Sequence, residues 1–477
     1  MRICLLTGGG YPFRRDALGG WCRSLVDGLA GRGVRFHLVS VGDRETLGGP
    51  AYRLPEHVES ARTVVLPRDN AGSKKQATLL CEGLAEQNDE KFAAGLKALT
   101  RESLEAEALS DAWRAAREAG RAERLPRLSR RDARTAVTLL RHAARALAVP
   151  LPESDLVHCV GGTTPLLTAL AGHWVSGSPI LLTEARAPVA RLRASEERLS
   201  SAVRTVLRRF RRAVARTGYA EAGLIAPLSE YHHAWALRHG AEPSRLIPVP
   251  AGVDPLDFPV APEPRQPLAI VWAGNGGPQS GLIVLLNAFA QITRAVPGTV
   301  LHLVGVAPVH EEHAAALIER SGLGRAVRLH PLPADPRHRY APGHLVVHLP
   351  GPSDPPYRLI EAMMSGRAVV GADAGPVAET LADTGVVVPP NDPATLADAC
   401  ISLLIAPARR RALGEAARRR ALAYFTTDRV VNAYGALYTD LAGPPPAPAY
   451  ELTLAVPAPR TPRPATLRWL AAAQDDT

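Results

Sequence analysis

The block from Pro350 to Pro393, PGPSDPPYRLIEAMMSGRAVVGADAGPVAETLADTGVVVPPNDP, constrains the fold more than any other stretch. Its apolar residues change period twice. Leu359, Ile360, Met363 and Met364 fall on one helical face, and Gly366 stands where a helix C-terminus favours a left-handed residue. Two short apolar runs follow, AVVGA from Ala368 and GVVVP from Gly385, of the kind found in parallel strands covered on both faces. Helix, strand, Gly-rich turn, helix, strand is the grammar of a doubly wound α/β unit. One carboxylate, Glu361, rides on the first helix close to the strand ends, where such sheets keep their ligand crevice.

At 477 residues the chain exceeds a single core and fits two domains. No apolar run reaches the roughly 18 residues that a membrane helix needs. MRICLLTGGGYPF reads as a first strand rather than a signal peptide. Cys4, Cys22, Cys81, Cys159 and Cys400 are scattered, with no metal spacing, and point to a reducing, cytoplasmic setting. The net charge of +10 comes almost wholly from arginine, since the only lysines are Lys74, Lys75, Lys91 and Lys97. With abundant Ala, Gly and Pro this suggests a GC-rich, actinobacterial genome. No nucleic-acid-binding pattern accompanies the charge; anionic small ligands or a membrane surface suit it better.

Strand and helix signals alternate in two successive series. The first comprises Arg2 to Thr7, a helix from about Gly20, Val34 to Val41, Arg62 to Pro67, Asp155 to Val160, Pro179 to Glu184 and Gly223 to Pro227. Residues 70–148, rich in charge, Ala and Leu, read as a helical insertion. A Pro-rich linker (Val260 to Pro267) leads to the second series: Leu268 to Gly274, a helix from Leu282, Thr299 to Gly305, a helix from Glu311, Leu345 to Pro350, then the opening block. The expected architecture is α/β, with two Rossmann-like domains facing across a cleft. Residues 1–259 form the N-terminal domain and 268–427 the C-terminal one. A helix over 428–442 crosses back to the first domain, and 443–477 is a Pro/Ala-rich, disordered tail.

Candidate ligand groups sit at the βα junctions. In the turn Thr7 to Gly10, Gly9 and Gly10 let backbone N–H groups approach a phosphate, with a helix N-terminus behind them; a plain βα turn is the alternative. Gly274, Gly276 and Gly277, in WAGNGGPQSGLIVLLNAF, form a second such turn. His158 ends a strand toward the presumed cleft, or is structural. Leu199 to Thr217 places Val203, Val206, Leu207, Phe210 and Val214 on one face, flanked by Arg204, Arg208, Arg211 and Arg212. That helix either lies on anionic lipid or packs on its own sheet.

The opening block, together with the WAGNGG and PILLTEARAP stretches, resembles glycosyltransferase family four, the retaining transferases of GT-B type. The terminal TGGGYPF, the helical insertion and ALGEAARRRALAYFTTDRVVNAYGALYTDL are closest to Pel-type exopolysaccharide transferases and actinobacterial relatives. The resemblance implies a hexosyl-type transferase with a nucleotide-sugar donor, retention, no metal or other cofactor, and a glycan, lipid or cell-envelope acceptor. It places Glu361 on the nucleotide ribose and Glu184 among the catalytic residues, with His158 as the remaining imidazole; the alternatives are a Glu favoured by its helix dipole for Glu361 and a capping or structural carboxylate for Glu184. Four positions depart from the family pattern. Asn275 and Ser280 replace the Arg and Lys that grip the diphosphate, Ser353 replaces the first Glu of a pair, and Ala185 replaces a His. Arg358 is a candidate replacement cation, with a solvated Arg on the helix surface as the alternative, and Asp354, beside Ser353, is the candidate to take over part of the missing Glu's contact with the sugar. The alternative is a catalytically impaired homologue that binds nucleotide or acts as a scaffold in polysaccharide assembly. A sugar-phosphate isomerase or epimerase on a similar scaffold lacks a visible acid/base pair.

Overall fold

The computed structural model describes residues 1–42, 49–66, 76–99, 101–120, 125–185, 196, 198–260, 262–277, 280–351 and 354–443. In the first half, β1 (Arg2–Thr7), β2 (Arg35–Gly42), β3 (Val58–Val65), β4 (Leu156–Val160), β5 (Ile180–Glu184) and β6 (Leu224–Pro227) form a parallel sheet in the order β3-β2-β1-β4-β5-β6. Helix α1 (Ala17–Gly28) follows β1. Between β3 and β4, among the described residues, stand the α-helices α2 (Thr78–Glu86), α3 (Asp89–Ala98), α4 (Ala106–Glu118) and α5 (Arg130–Ala144). Next come α6 (Thr163–Ser176), α7 (Ser201–Glu221) and α8 (Glu230–Arg238).

The second half repeats the plan. Strands β7 (Ala269–Ala273), β8 (Val300–Val304), β9 (Val327–His330), β10 (Leu345–His348), β11 (Ala368–Ala372) and β12 (Val386–Val388) form a parallel sheet ordered β12-β11-β10-β7-β8-β9. Its helices are α9 (Leu282–Ala295), α10 (Pro308–Arg320), α11 (Tyr357–Met364), α12 (Val377–Leu381), α13 (Pro393–Leu404), α14 (Pro407–Tyr424) and α15 (Thr427–Ala442). In both sheets the order reverses beside the first strand of the series, which places a crevice at the carboxyl ends of β1 and β4, and of β7 and β10.

Side-chain alternation divides each sheet between two cores. Cys4, Leu6, Val39, Val41, Val157, Cys159, Ile180 and Leu182 face the insertion helices, α6 and α7. Ile3, Leu5, Phe36, Leu38, Leu156, Val160 and Leu181 face the other way, into a middle layer with α1 and α15. That layer continues into Val271, Ala273, Val346 and Val369 of the second sheet, so the halves share one apolar cluster. All five cysteines are buried and free.

Three local differences from the sequence reading have clear causes. Helix α1 starts at Ala17, because Asp16 caps it by accepting from the Gly19 N–H at 2.7 Å. Helix α14 escapes apolar periodicity because it packs through Gly414, Ala417 and Ala421; a Cβ on Gly414 would lie 2.2 Å from the Gly366 carbonyl oxygen. The apolar face of α7 is buried against α3, α5 and α6, with Phe210 edge-on to Phe92 at 5.8 Å. The stripe that would enter a lipid interface is therefore spent in the core, which corrects the membrane reading of residues 199–217. No helix among the described residues is long and apolar enough to cross a membrane.

Helix α15 lies on α1 and on β4 and β5, and it buries Val430, Val431, Tyr434, Leu437 and Tyr438. Contact with α1 is close enough that a Cβ on Gly28 would sit 2.4 Å from Val431 Cγ2. Gly28→Ala should cost about 1–3 kcal/mol in chemical denaturation through overpacking. Val431→Ala in the same chain should recover part of that loss.

Candidate functional site

In the first half, Glu184 ends β5 and is buried, and the Tyr219 hydroxyl donates to its Oε2 at 2.6 Å. Burial, and then the Glu184 charge, push the Tyr219 phenol well above its ordinary range, so it remains a donor. Glu184 lines a small recess with Gly161, Gly162, Thr163 and Arg211. Arg211 is held in turn by Glu196, its Nη1 donating to Oε2 at 3.0 Å. The β1–α1 turn is adjacent, since a Cβ on Gly8 would lie 3.4 Å from Pro165 Cδ. Gly9 has a left-handed φ of 70°, and the Gly10 carbonyl accepts from Phe13 and Arg14. The positive end of α1 is taken by the Asp16 carboxylate, so Gly9 and Gly10 do not open onto a free helix N-terminus.

His158 is not at the cleft. It is the middle residue of β4, fully buried, and its ring stacks on Tyr434 at 5.2 Å. Nδ1 is 2.7 Å from the Tyr438 hydroxyl and Nε2 is 2.7 Å from Thr183 Oγ1; Thr183 Oγ1 is 2.6 Å from the Tyr434 hydroxyl. The strand period explains the miss: His158 points to the α15 side together with Leu156 and Val160. Burial lowers its pKa from the usual 6.5 to about 3.

In the second half, the glycines between β7 and α9 are mostly committed to structure. The Gly274 N–H donates to Val304 O at 3.1 Å, and the Gly277 N–H to Asn275 Oδ1 at 3.1 Å. A Cβ on Gly274 would strike the Trp272 ring at 2.3 Å, and one on Gly276, at φ 74°, would meet Val306 at 2.7 Å. Only the Gly276 N–H of the three makes no bond among the described residues. Ser280 Oγ is buried and likewise lacks a partner among them. It precedes Gly281, whose Cβ position lies 2.9 Å from Leu349 Cβ, at the exit of β10.

Glu361 is buried on α11, and its Oε2 is ion-paired with Arg339 and accepts from the Tyr340 hydroxyl at 2.9 Å. Its other oxygen has no partner among the described residues. Arg339 in turn lies over the Phe258 ring, 5.5 Å from its centroid. Arg358, one turn before Glu361, has a buried Nη1 without a partner among the described residues. His348 ends β10 next to both; burial, then the Arg358 charge, lower its pKa to about 4. Asp354 closes a turn, accepting from the Gly351 N–H at 2.8 Å, while Ser353 lies outside the described residues. The sequence reading did not single out Arg339, Tyr340 or His348. A polar residue at the carboxyl end of the apolar run LVVHLP was the available signal for His348; nothing local ties Arg339 to Glu361.

The architecture has close precedents. Sucrose-phosphate synthase from Thermosynechococcus elongatus matches 92% of this chain and 98% of its own, with TM-score 0.62 at 19% identity. Anabaena HepE, in complex with UDP and glucose, matches 92% and 100%, with TM-score 0.58 at 15% identity. The fold is GT-B, two Rossmann-like halves. Residues 267–405 match the family model described as glycosyl transferases group 1, and residues 1–244 match a domain of unknown function, DUF3492. The chain belongs to the DUF3492 family. Among curated relatives, D-inositol 3-phosphate glycosyltransferases from Kineococcus radiotolerans and Segniliparus rotundus are 27% and 33% identical over 216 and 197 residues. Those matches take in 38% and 37% of this chain, and 49% and 43% of the relatives. The chain thus spans about half the length of the curated relatives it matches.

The buried His158 chain has a pH signature in this DUF3492 protein. Below about pH 6.5 the unfolded chain takes a proton that the folded state refuses, so stability falls as pH drops from 6.5 toward 3. The slope from this group is about 1.4 kcal/mol per pH unit. His158→Gln should flatten that limb in a pH series of denaturation curves, and Tyr438→Phe should cost about 1–3 kcal/mol by orphaning Nδ1.

Proposed function

We propose that this chain is a retaining, hexosyl-type glycosyltransferase that moves a sugar from a nucleotide-sugar donor to a glycan, lipid or cell-envelope acceptor. The observation that carries the reading is a set of unpartnered polar groups on the segments that follow β7 and β10. Arg358 Nη1, Ser280 Oγ and the Gly276 N–H lack partners among the described residues, His348 stands beside Arg358, and Glu361 keeps one oxygen open. Buried donors without partners are costly unless a ligand completes them. The group 1 domain match, the GT-B fold and the naming of both curated relatives as glycosyltransferases support the same class.

In this reading the donor's diphosphate lies against Arg358, Ser280 and the Gly276 amide. The guanidinium takes over from the Arg and Lys absent at Asn275 and Ser280. The leaving group is a nucleoside diphosphate, so a fixed cation there stabilises the negative charge that develops as the glycosidic bond breaks. The open oxygen of Glu361 accepts from the ribose hydroxyls, while Arg339 and Tyr340 hold the carboxylate in place. Asp354, which closes the turn after β10, stands at the sugar end. Glu184, fixed by Tyr219 beside the recess in the first half, serves the acceptor side. No step calls for a metal ion.

Calorimetry and thermal shift against UDP, GDP, ADP and their sugars test the proposal, with donor hydrolysis as the activity readout. One nucleoside diphosphate should bind, and Arg358→Gln should weaken it by about tenfold or more while the unliganded melting temperature holds. Unchanged affinity in that variant would remove Arg358 from the site. A protein that binds none of the nucleotides would be better read as a scaffold homologue.

A further inference from the structure

A second polar site lies away from the strand ends, where α7 crosses the α2–α3 hairpin. There a small, partly open cleft is lined by Gln87, Asp89, Arg209, Arg212 and Arg216 together with small and apolar residues. Positions 209, 212 and 216 follow helical spacing, so one face of α7 presents three guanidinium groups to the cleft. Two of them are accounted for. Arg209 Nη1 donates to the carbonyls of Ala85 at 2.6 Å and Leu84 at 3.3 Å, at the negative end of α2, and its guanidinium stands 5.3 Å from the Trp113 ring centroid. Arg216 pairs with Asp89 at 3.3 Å.

Arg212 has no such account. It makes no hydrogen bond or ion pair among the described residues, and its Nε is buried without a partner. A half-buried guanidinium beside two others, facing a single carboxylate already engaged by Arg216, is an unfavourable arrangement unless an anion completes it. Arg208, exposed on the same helix, adds to the repulsion; burial, then Arg212 and Arg208, depress the Arg209 pKa.

We propose that this cleft binds a phosphoryl group, with Arg212 as its principal ligand and Arg216 and the Gln87 amide at its margin. A phosphate monoester carries close to two negative charges and three acceptor oxygens, which the planar fork of arginine meets in pairs. The group arrives on a small soluble molecule or on a lipid headgroup. In either case the site lies in the DUF3492 half and is independent of the donor cluster. It also gives the arginines of α7 a role that does not require the helix's buried apolar face.

Titration with inorganic phosphate, followed by calorimetry, reads the site directly, and a selenate-soaked crystal locates it by anomalous scattering. Wild type should bind phosphate, with a selenate peak beside Arg212. Arg212→Gln should weaken that binding by about tenfold or more, Arg212→Lys should weaken it less, and Arg358→Gln should leave the cleft's selenate peak in place. Equal phosphate binding in wild type and Arg212→Gln, or a selenate map with no peak in the cleft, would overturn the proposal. Sedimentation with phosphatidylcholine vesicles, with and without phosphatidic acid, separates the sources. Co-sedimentation that depends on phosphatidic acid and is lost in Arg212→Gln assigns a headgroup, and phosphate binding without co-sedimentation assigns a soluble phosphate.

Discussion

A parallel sheet must be covered on both faces, and most of this structure follows from how the first sheet meets that demand. One face has ample cover from the insertion helices, α6 and α7. The other has α1, and the remaining cover is supplied by α15, which lies beyond the whole second half in the sequence. A buried polar chain fixes the register of that docking. Tyr438, His158, Thr183 and Tyr434 are linked at 2.6–2.7 Å, so sliding α15 along the sheet would strand several polar groups at once. Apolar packing supplies the affinity, and the polar chain supplies the alignment.

The same middle layer joins the two halves. Tyr11 and Trp21 from the first, and Tyr357, Ile360 and Val346 from the second, belong to one apolar cluster. A polar tie reinforces it, the Tyr231 N–H donating to Glu379 Oε1 at 3.2 Å. The linker is pinned as well. Glu263 pairs with the buried Arg410, whose Nη1 also caps the carbonyls of Leu403 and Leu404 at the end of α13. The strand ends of both sheets are thus set by a continuous core rather than by a flexible tether.

Much of this architecture was legible in the sequence because it depends on local periodicity. AVVGA maps onto β11 from Ala368 to Ala372, and Gly366 adopts the left-handed φ of 70° that its place after a helix suggested. Doubly covered strands such as β4, β5 and β7 are wholly buried, as continuous apolar runs imply. The surroundings of His158 and Glu361 were not legible because they depend on contact across long sequence separations. His158 reads as a strand-end imidazole until Tyr434 and Tyr438 are brought to it from 276 and 280 residues away. Glu361 reads as a free carboxylate until Arg339, on a loop without pattern, is folded against it. The glycines of the β7–α9 turn resemble a phosphate cradle, yet neighbouring Trp272 and Val306 are enough to require them.

The place of α15 in the chain also bears on synthesis. A ribosome makes the first sheet long before it makes residues 427–442, so the face bearing His158 and Thr183 waits without its last cover while the second half is translated. Domains usually fold as units in the order they emerge. Here the earlier unit cannot close until the later one is complete. Helix α15 is therefore a checkpoint of completion: a chain that stops short of it holds two formed sheets and an open apolar face, the state that chaperones and proteases recognise.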